Sequence, residues 1–534
     1  MADPLEHHST RFPLSGRDVL TGGKRLILPA LISLAFFLVI AFIARPHTFG
    51  TYATETDFYH YYAPDAERIA RRQFPENPYQ GPGYPVILAL GKMLTGDLFT
   101  AGKWLSILSA ALVGLFAFLI FERAFGYWVG VGAQLIVFVS DQFPEFAMNA
   151  TTDAFFLLLC LATLVVFTSR GLSPLPRVAL TAALTSLAYL TRYNALFLVP
   201  TFLFGITLLD YFDLRWRERL KLAALFVGVF LLVSAPWFYA NYKGRGSPVY
   251  NANYLNIATE FYPELANDNV FQEGTRKLSE RFNSFGEVLG YDPARIVKHY
   301  PVNFYDSIVQ SVTGDLVSPW VGWFALAGFV LALFERRRSK PATLILFSSV
   351  VYLLLLALTH WEARYYFYIM VLYAGLAVYA AFRLLELIQA RGVLRHPAAV
   401  LAPIVLISIM WTHSFMMAKK ETTKFLRSHP REVIKACGYF KAANVTGARV
   451  VARKPHVAYI CNQEWVFFSP VKSLDDLRAW SKDNRVDYIT ISSVEISRRR
   501  ELAALKDPRN APAWLEPVWI NDGAPFVLYR FRSE

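Results

Sequence analysis

The chain has 534 residues, of which 54% are hydrophobic, 16% aromatic and 18% charged, and its formal net charge is +13. A soluble chain averages about 25% charged residues, so the composition excludes an ordinary globular protein and predicts a polytopic membrane protein with room for a soluble part. The basic residues lie in short loops between apolar runs and not in patches, which argues against a nucleic-acid partner and reads as an orientation signal.

Residues 1–25, "MADPLEHHSTRFPLSGRDVLTGGKR", are polar and basic, and "LILPALISLAFFLVIAFIA" follows. That run has the roughly 20 residues a bilayer-spanning helix needs. It is longer than a signal-peptide core and lacks a clear small-residue cleavage site, so a retained helix is expected. Apolar runs lie near 26–45, 102–121, 127–140, 153–168, 177–191, 194–209, 219–238, 319–334, 341–359, 365–383 and 398–414, giving about eleven spans. "FERAFG", "SRGLSPLPR", "DLRWRERLK", "FERRRSK" and "ARGVLRH" fall on alternate loops, on the side of the basic N-terminus. The positive-inside rule makes that side cytoplasmic. Three regions are therefore expected: a cytoplasmic segment 1–25, a membrane domain 26–414 with outer loops 46–100 and 239–318, and an extracytoplasmic domain 415–534.

In that last region "REVIKACGYFKAA" has helical spacing, while "ARVVAR", "WVFF", "VDYITIS" and "FVLYRF" read as strands. "SLDDLRAWSKDN" reads as a helix with a serine cap. A small α/β domain is predicted. Cys437 and Cys461 can pair there if it lies outside the cytosol, or remain two buried thiols; Cys160 sits in an apolar run as a core residue. GxGxxG, Walker A, HExxH and CxxC motifs are all absent. No metal cluster is evident, and no cofactor is expected.

Ionisable residues at membrane depth are costly and face cavities. Four groups of them fall at the outer ends of the predicted spans. In "TETDFYHYYAPDAERIARRQ", Asp57, with Glu55 two residues earlier, is a candidate base that takes a proton from an attacking hydroxyl or amine. The alternative is a solvated loop acid or helix cap. The following aromatic and basic stretch suits a helix lying in the membrane interface. "GPGYP" then makes a tight turn with Tyr84 at the lipid boundary. Asp153 in "NATTDAFF" is either a helix cap or a site acid, two compatible roles. Arg192 in "YLTRYNALF" stands on the side where few arginines are expected, so it asks for a lipid phosphate or a carboxylate as partner. In "THWEARYYFYIM", His360, Glu362 and Arg364 crowd one boundary, where Arg364 can grip a phosphate and Glu362 can pair with an arginine or hold an acceptor. Lys243 in "PWFYANYKGRGSPVY" either approaches a lipid phosphate or is solvated.

The order and spacing of "ETD", "FYHYYAPDAERIA", "GPGYP", "TTDAFF", "LTRYNALFLVP", "PWFYANYKGRGSPVY" and "EARYYFYIMVLYAGLA", over roughly residues 25–385, resemble the GT-C fold glycosyltransferases. Among these the resemblance is nearest to the bacterial protein mannosyltransferase-like enzymes and the aminoarabinose transferase that modifies lipid A. It implies an integral protein of the bacterial inner or plasma membrane. The implied donor is a polyprenyl-phosphate sugar, and the acceptor a lipid, glycan or protein on the outer face. It also implies inverting transfer with Asp57 as base, and Arg364 with Arg192 on the leaving phosphate. A transporter or flippase of a lipid-linked glycan would need polar groups near the midplane, and this chain keeps them at one edge. The same pattern admits a glycan ligase or polymerase of the outer-face type, and a non-catalytic scaffold.

Overall fold

The computed structural model describes residues 22–266, 271–335, 339–390, 401–468, 471–523 and 525–532. Most of the basic N-terminus and of the loop "ARGVLRH" lies outside the described residues. The predicted apolar runs fall on the helices Ile27–Ile43, Leu98–Phe125, Tyr127–Phe138, Asp153–Phe167, Pro174–Thr191, Leu198–Thr207, Trp216–Arg245, Pro319–Phe334, Lys340–Leu356, Phe367–Ala390 and Leu401–Arg427. Among the described residues, five helical stretches are long and apolar enough to cross a membrane: Gly23–Ile43, Leu98–Phe125, Trp216–Arg245, Ala363–Gln389 and Leu401–Ala442. The helices Tyr127–Phe138, Asp153–Phe167, Tyr193–Thr207, Pro319–Phe334 and Lys340–Leu356 are apolar but shorter.

Burial separates a rim from a centre. On Ile27–Ile43 the side chains of Leu31, Leu34, Leu38 and Phe42 are exposed, an apolar face suited to lipid. Phe367–Ala390 is buried on all sides along Phe367–Tyr379 and packs against Pro319–Phe334 and Tyr127–Phe138. Small residues permit this: a methyl on Gly328 would stand 2.1 Å from the carbonyl oxygen of Leu376.

The C-terminal region holds a five-stranded sheet, β1 (Arg449–Ala452), β2 (Glu464–Phe467), β3 (Tyr488–Ser492), β4 (Leu515–Ile520) and β5 (Phe526–Phe531), in the order β2-β1-β3-β5-β4. β1 runs parallel to β2 and β3, while β5 is antiparallel to β3 and β4. β3 is central and wholly buried, as its run "YITIS" suggests. The four predicted strands are present; β4 is additional, its "LEPVWI" interrupted by Pro517 and a register shift. The predicted serine cap forms, with Ser473 Oγ accepting from Asp476 N at 3.1 Å. Cys437 and Cys461 form a disulfide, and Cys160 is a buried free thiol. The last long helix does not stop at 414 but continues to Arg427.

The loop 46–100 departs from the expected interfacial helix. A π-helical turn, Phe58–Tyr62, leads into the helix Ala63–Ala70. Its aromatic face packs against protein: Tyr59 meets His456 and Tyr459 of the sheet domain, and Tyr459 donates to Glu67. Asp65 accepts from the backbone N–H groups of Glu76 and Asn77 and folds the next stretch back. Gly81 and Gly83 then lie against the backbone of Leu190, where a methyl on Gly81 would come within 2.4 Å of the carbonyl oxygen. Tyr84 is not at a lipid boundary. It is fully buried, edge-on to Tyr62, because this turn drives it inward beneath the loop.

Candidate functional site

A cavity of about 790 Å³ lies where one end of the helices meets the loop 46–100 and the sheet domain. Asp57, Arg192, His360, Glu362 and Arg364 all line it, although 307 residues separate the first from the last. Asp57 stands just before the π-helical turn, a form that widens a helix by one residue and recurs at functional sites. Its Oδ2 is 3.5 Å from Arg364 Nη2. Arg364 Nε lies 2.7 Å from Glu362 Oε1, and its Nη2 donates to Glu362 Oε2 at 3.3 Å. His360 Nε2 is 3.9 Å from Glu362 Oε2. The guanidinium of Arg364 also lies 5.4 Å from the ring centre of Tyr365, with Arg192 on the same ring at 5.1 Å.

Arg192 finds the partner its position demanded in a carboxylate: its Nη1 is ion-paired with Asp153 Oδ1 and donates to Thr152 Oγ1 at 3.2 Å. Asp153 opens the helix Asp153–Phe167 as its first residue and does not cap it; its side chain turns to Arg192 instead. It is buried behind the cavity wall and does not line the cavity.

Glu55 is also away from the cavity, completely buried. Its Oε1 accepts from His47 Nε2 at 2.9 Å and from Ala150 N at 2.8 Å, and its Oε2 from Thr51 N at 2.8 Å. The proton bookkeeping around His47 follows from its neighbours. His429 Nδ1 faces the carbonyl of Leu426 at 3.1 Å and must donate, so its Nε2 accepts from His47 Nδ1 at 2.5 Å. His47 is thereby held between the Glu55 carboxylate and the His429 ring. Burial acts to raise the Glu55 carboxyl; the His47 charge and the hydrogen bonds outweigh it and leave it below the usual 4.5. The pair ties the first loop to the end of the last long helix.

Lys243 is exposed on the final turn of Trp216–Arg245, away from the cavity, and lies over Tyr239. Its neighbour Arg245 turns inward among Phe74, Trp237 and Tyr250 and donates to the carbonyl of Asn77 at 2.9 Å. Tyr84 likewise contributes to packing beneath the loop and not to the cavity.

Sequence reasoning named no candidate site residue in the sheet domain, yet Arg453, Lys454, Trp465, Phe467 and Arg498 line the cavity. Lys454 Nζ donates to Thr56 Oγ1 at 3.0 Å, beside Asp57. Burial, reinforced by Arg453, brings the Lys454 ammonium down to about 8. His60, on the π-helical turn, is pushed down to about 4 by burial and by Lys454, and so is neutral at pH 7. The docking is fixed by His456, whose Nε2 donates to the carbonyl of Thr51 at 2.8 Å. The signal was present: "ARKPH" places two cations directly after β1, at the carboxyl end of a parallel strand, where ligand crevices form. Among the described residues no group of three or more His, Cys, Asp or Glu side chains is arranged to hold a metal ion.

Residues 78–239 match the model of the dolichyl-phosphate-mannose-protein mannosyltransferase family. The fold is similar to that of the Archaeoglobus fulgidus oligosaccharyltransferase in its apo form, with a TM-score of 0.60 and 12% identity over 88% of this chain and 69% of that one. It is similar also to ArnT from Cupriavidus metallidurans bound to undecaprenyl phosphate, with a TM-score of 0.54 and 16% identity over 93% of this chain and 97% of that one. AglB from Archaeoglobus fulgidus, in complex with an inhibitory peptide and a dolichol-phosphate, superposes with a TM-score of 0.56 at 12% identity over 87% of this chain and 70% of that one. No curated protein sequence matches the chain. Apolar helices, the cavity at their ends and the C-terminal sheet together make this an integral membrane protein with the GT-C fold of those glycosyltransferases.

Proposed function

We propose that the chain is an inverting glycosyltransferase. It moves a sugar from a polyprenyl-phosphate donor to a lipid, glycan or protein acceptor on the outer face of the membrane. The observation that carries this reading is the pairing of Asp57 with Arg364 in one wall of a large cavity at the outer helix ends. A base and a phosphate-binding cation are thereby available within one sugar's length of each other.

In this reading Asp57 accepts the proton of the acceptor hydroxyl as its oxygen attacks the anomeric carbon. The bond from that carbon to the phosphate oxygen breaks, and the polyprenyl phosphate leaves with the electron pair. Attack from the face opposite the phosphate inverts the centre. Arg364 and Arg192, positioned beforehand, stabilise the charge growing on the leaving group. Glu362 holds Arg364 within the cavity wall, and Asp153 holds Arg192 from behind it. Two titratable groups in one cavity with opposite duties, base and cation, suit transfer better than transport.

The same reading assigns about eleven crossings, a cytoplasmic N-terminus and an extracytoplasmic domain from about 415. The Cys437–Cys461 disulfide supports that side, because such bonds persist outside the reducing cytosol.

The experiment is sugar transfer in membranes from a panel of labelled polyprenyl-phosphate sugars. Wild type is expected to consume one donor, and Asp57→Asn to bind that donor without turnover. A wild type that consumes none, or an Asp57→Asn variant as active as wild type, overturns the proposal.

A further inference from the structure

The charges of the cavity are divided unequally between its two halves. On the membrane side the cavity is lined by Arg192 and Arg364 together with two carboxylates, Glu362 and Asp57, and Asp153 pairs with Arg192 from behind the wall. Counted over those lining arginines and carboxylates, that half is formally neutral. A phosphate approaching it alone meets a surface whose cations are already matched. The sheet domain supplies the opposite balance. Arg453, Lys454 and Arg498 line the cavity from it, and among the described residues no carboxylate of that domain lines the cavity with them. Arg453 spends its guanidinium on the carbonyl of Val494 at 3.0 Å and the hydroxyl of Ser497 at 2.9 Å, both neutral acceptors. Lys454 spends one N–H on Thr56 Oγ1.

We infer that the sheet domain is a working half of the site, in which Lys454, with Arg453 behind it, closes over Asp57 and Arg364 to form a cradle for a phosphate-bearing group. Three features besides charge support it. The two cations follow β1 and Arg498 follows β3, so they stand at the carboxyl ends of adjacent parallel strands, where open sheets bind ligands. Trp465 and Phe467 of β2 stand beside them and offer flat apolar faces suited to a sugar ring. The domain is fixed in place, since His456, Lys454 and Tyr459 all bond to the loop that carries Asp57.

Lys454 also gives the cradle a titration of its own. It faces Arg453 on its own segment, Asp57, His60 and Arg364 across the cavity, and His456 in the interface. Burial and Arg453 lower its ammonium to about 8. The positive charge is therefore present at pH 7 and lost as pH rises through about 8, and phosphate binding should weaken over that interval.

The inference rests on the transferase reading for the phosphate's place in a reaction, but its test reads binding and needs no turnover. The full chain in lipid nanodiscs is titrated with undecaprenyl phosphate, and with glycerol 1-phosphate in the presence of saturating undecaprenyl phosphate. Lys454→Gln is expected to weaken at least one of the two by about tenfold or more, the loss of a charge-assisted contact. Lys454→Arg should keep the affinity and abolish its decline between pH 7 and 9, and uncharged undecaprenol should bind all three proteins alike. A loss confined to undecaprenyl phosphate assigns the cradle to the lipid's headgroup; a loss confined to glycerol 1-phosphate assigns it to a water-soluble phosphate. If Lys454→Gln binds both probes as wild type does, the inference is overturned. If it weakens undecaprenol equally, or Lys454→Arg fails to restore binding, Lys454 is only a packing residue and the inference is again overturned. A wild type that binds phosphate but transfers no sugar would remove the transferase reading and leave the cradle standing.

Discussion

Glu55 and Asp57 are two residues apart, both acidic, in the same loop, yet their surroundings assign them opposite consequences when neutralised. In Glu55→Gln the side-chain oxygen can take the place of Oε1 and keep His47 and Ala150. The amide nitrogen then faces Thr51 N–H, donor against donor. One buried N–H loses its acceptor, at about 1–3 kcal/mol, and His47 loses the carboxylate it faces, which brings the total to about 3–5 kcal/mol for breaking a buried pair. Asp57 is only half-buried and its contact with Arg364 is 3.5 Å, so Asp57→Asn should cost under about 1 kcal/mol while lowering kcat by about 10²–10⁴-fold. Thermal unfolding in detergent and donor turnover, measured on both variants, separate the two. The pH dependence adds a sign. The folded Glu55 carboxyl lies below its usual 4.5, so its stabilisation is present above that value and is lost as pH falls through the depressed one. The gap in unfolding midpoint between wild type and Glu55→Gln should accordingly be full at pH 7 and close in acid, below the depressed value. A stable, inactive Glu55→Gln beside an active Asp57→Asn would refute the division of labour.

Arg364→Lys keeps a charge but loses the planar fork that meets Glu362 and Asp57 together, so turnover should fall by about 10²-fold or more with the fold intact; single-turnover rates check this. Gly81→Ala forces a methyl to within 2.4 Å of the Leu190 carbonyl oxygen, and should lower stability by about 1–3 kcal/mol, read as a drop in the detergent unfolding midpoint. Cys437→Ser opens a loop of 24 residues' separation, which should cost about 3 kcal/mol and hasten proteolysis of the sheet domain, an effect that reductant reproduces on wild type but not on the variant.

The helices were legible because each apolar run is a local property of the chain, and the sheet because four strands announce themselves by β-branched and aromatic alternation. Asp57, Glu362 and Arg364 were legible as site candidates because charge at a membrane boundary is expensive wherever it occurs. What the chain does not spell out is who answers whom. Nothing near Arg192 in sequence shows that Asp153 neutralises it, and nothing near Glu55 shows that His47 and His429 line up behind it. Those pairings are made across helices whose order in space is a tertiary fact. Tyr84 and Lys243 illustrate the opposite error. Each has the type expected at a boundary, a tyrosine and a lysine, but the turn at Gly81 and Gly83 carries one inward and the last turn of Trp216–Arg245 carries the other outward.

The loop that carries Asp57 is held from two directions, and this bears on why the sheet domain belongs to the site. From the membrane side the Glu55–His47 pair fixes the chain just before Asp57, and Lys103 Nζ donates to the His47 carbonyl at 2.8 Å to anchor that end. From the outer side His456 takes the Thr51 carbonyl and Lys454 the Thr56 hydroxyl. Between these clamps the π-helical turn inserts its extra residue and Tyr59 accepts from Gly50 N at 2.7 Å. A base displaced by about 1 Å can lose some 10²-fold in rate, so a loop of this length needs fixing at more than one point. The anchors on the membrane side lie in the helical domain, but the outer ones exist only when the sheet is docked. Removing the sheet would therefore free one side of the Asp57 loop as well as unroof the cavity, and the two losses have a common cause: the residues after β1 serve the loop and the cavity at once.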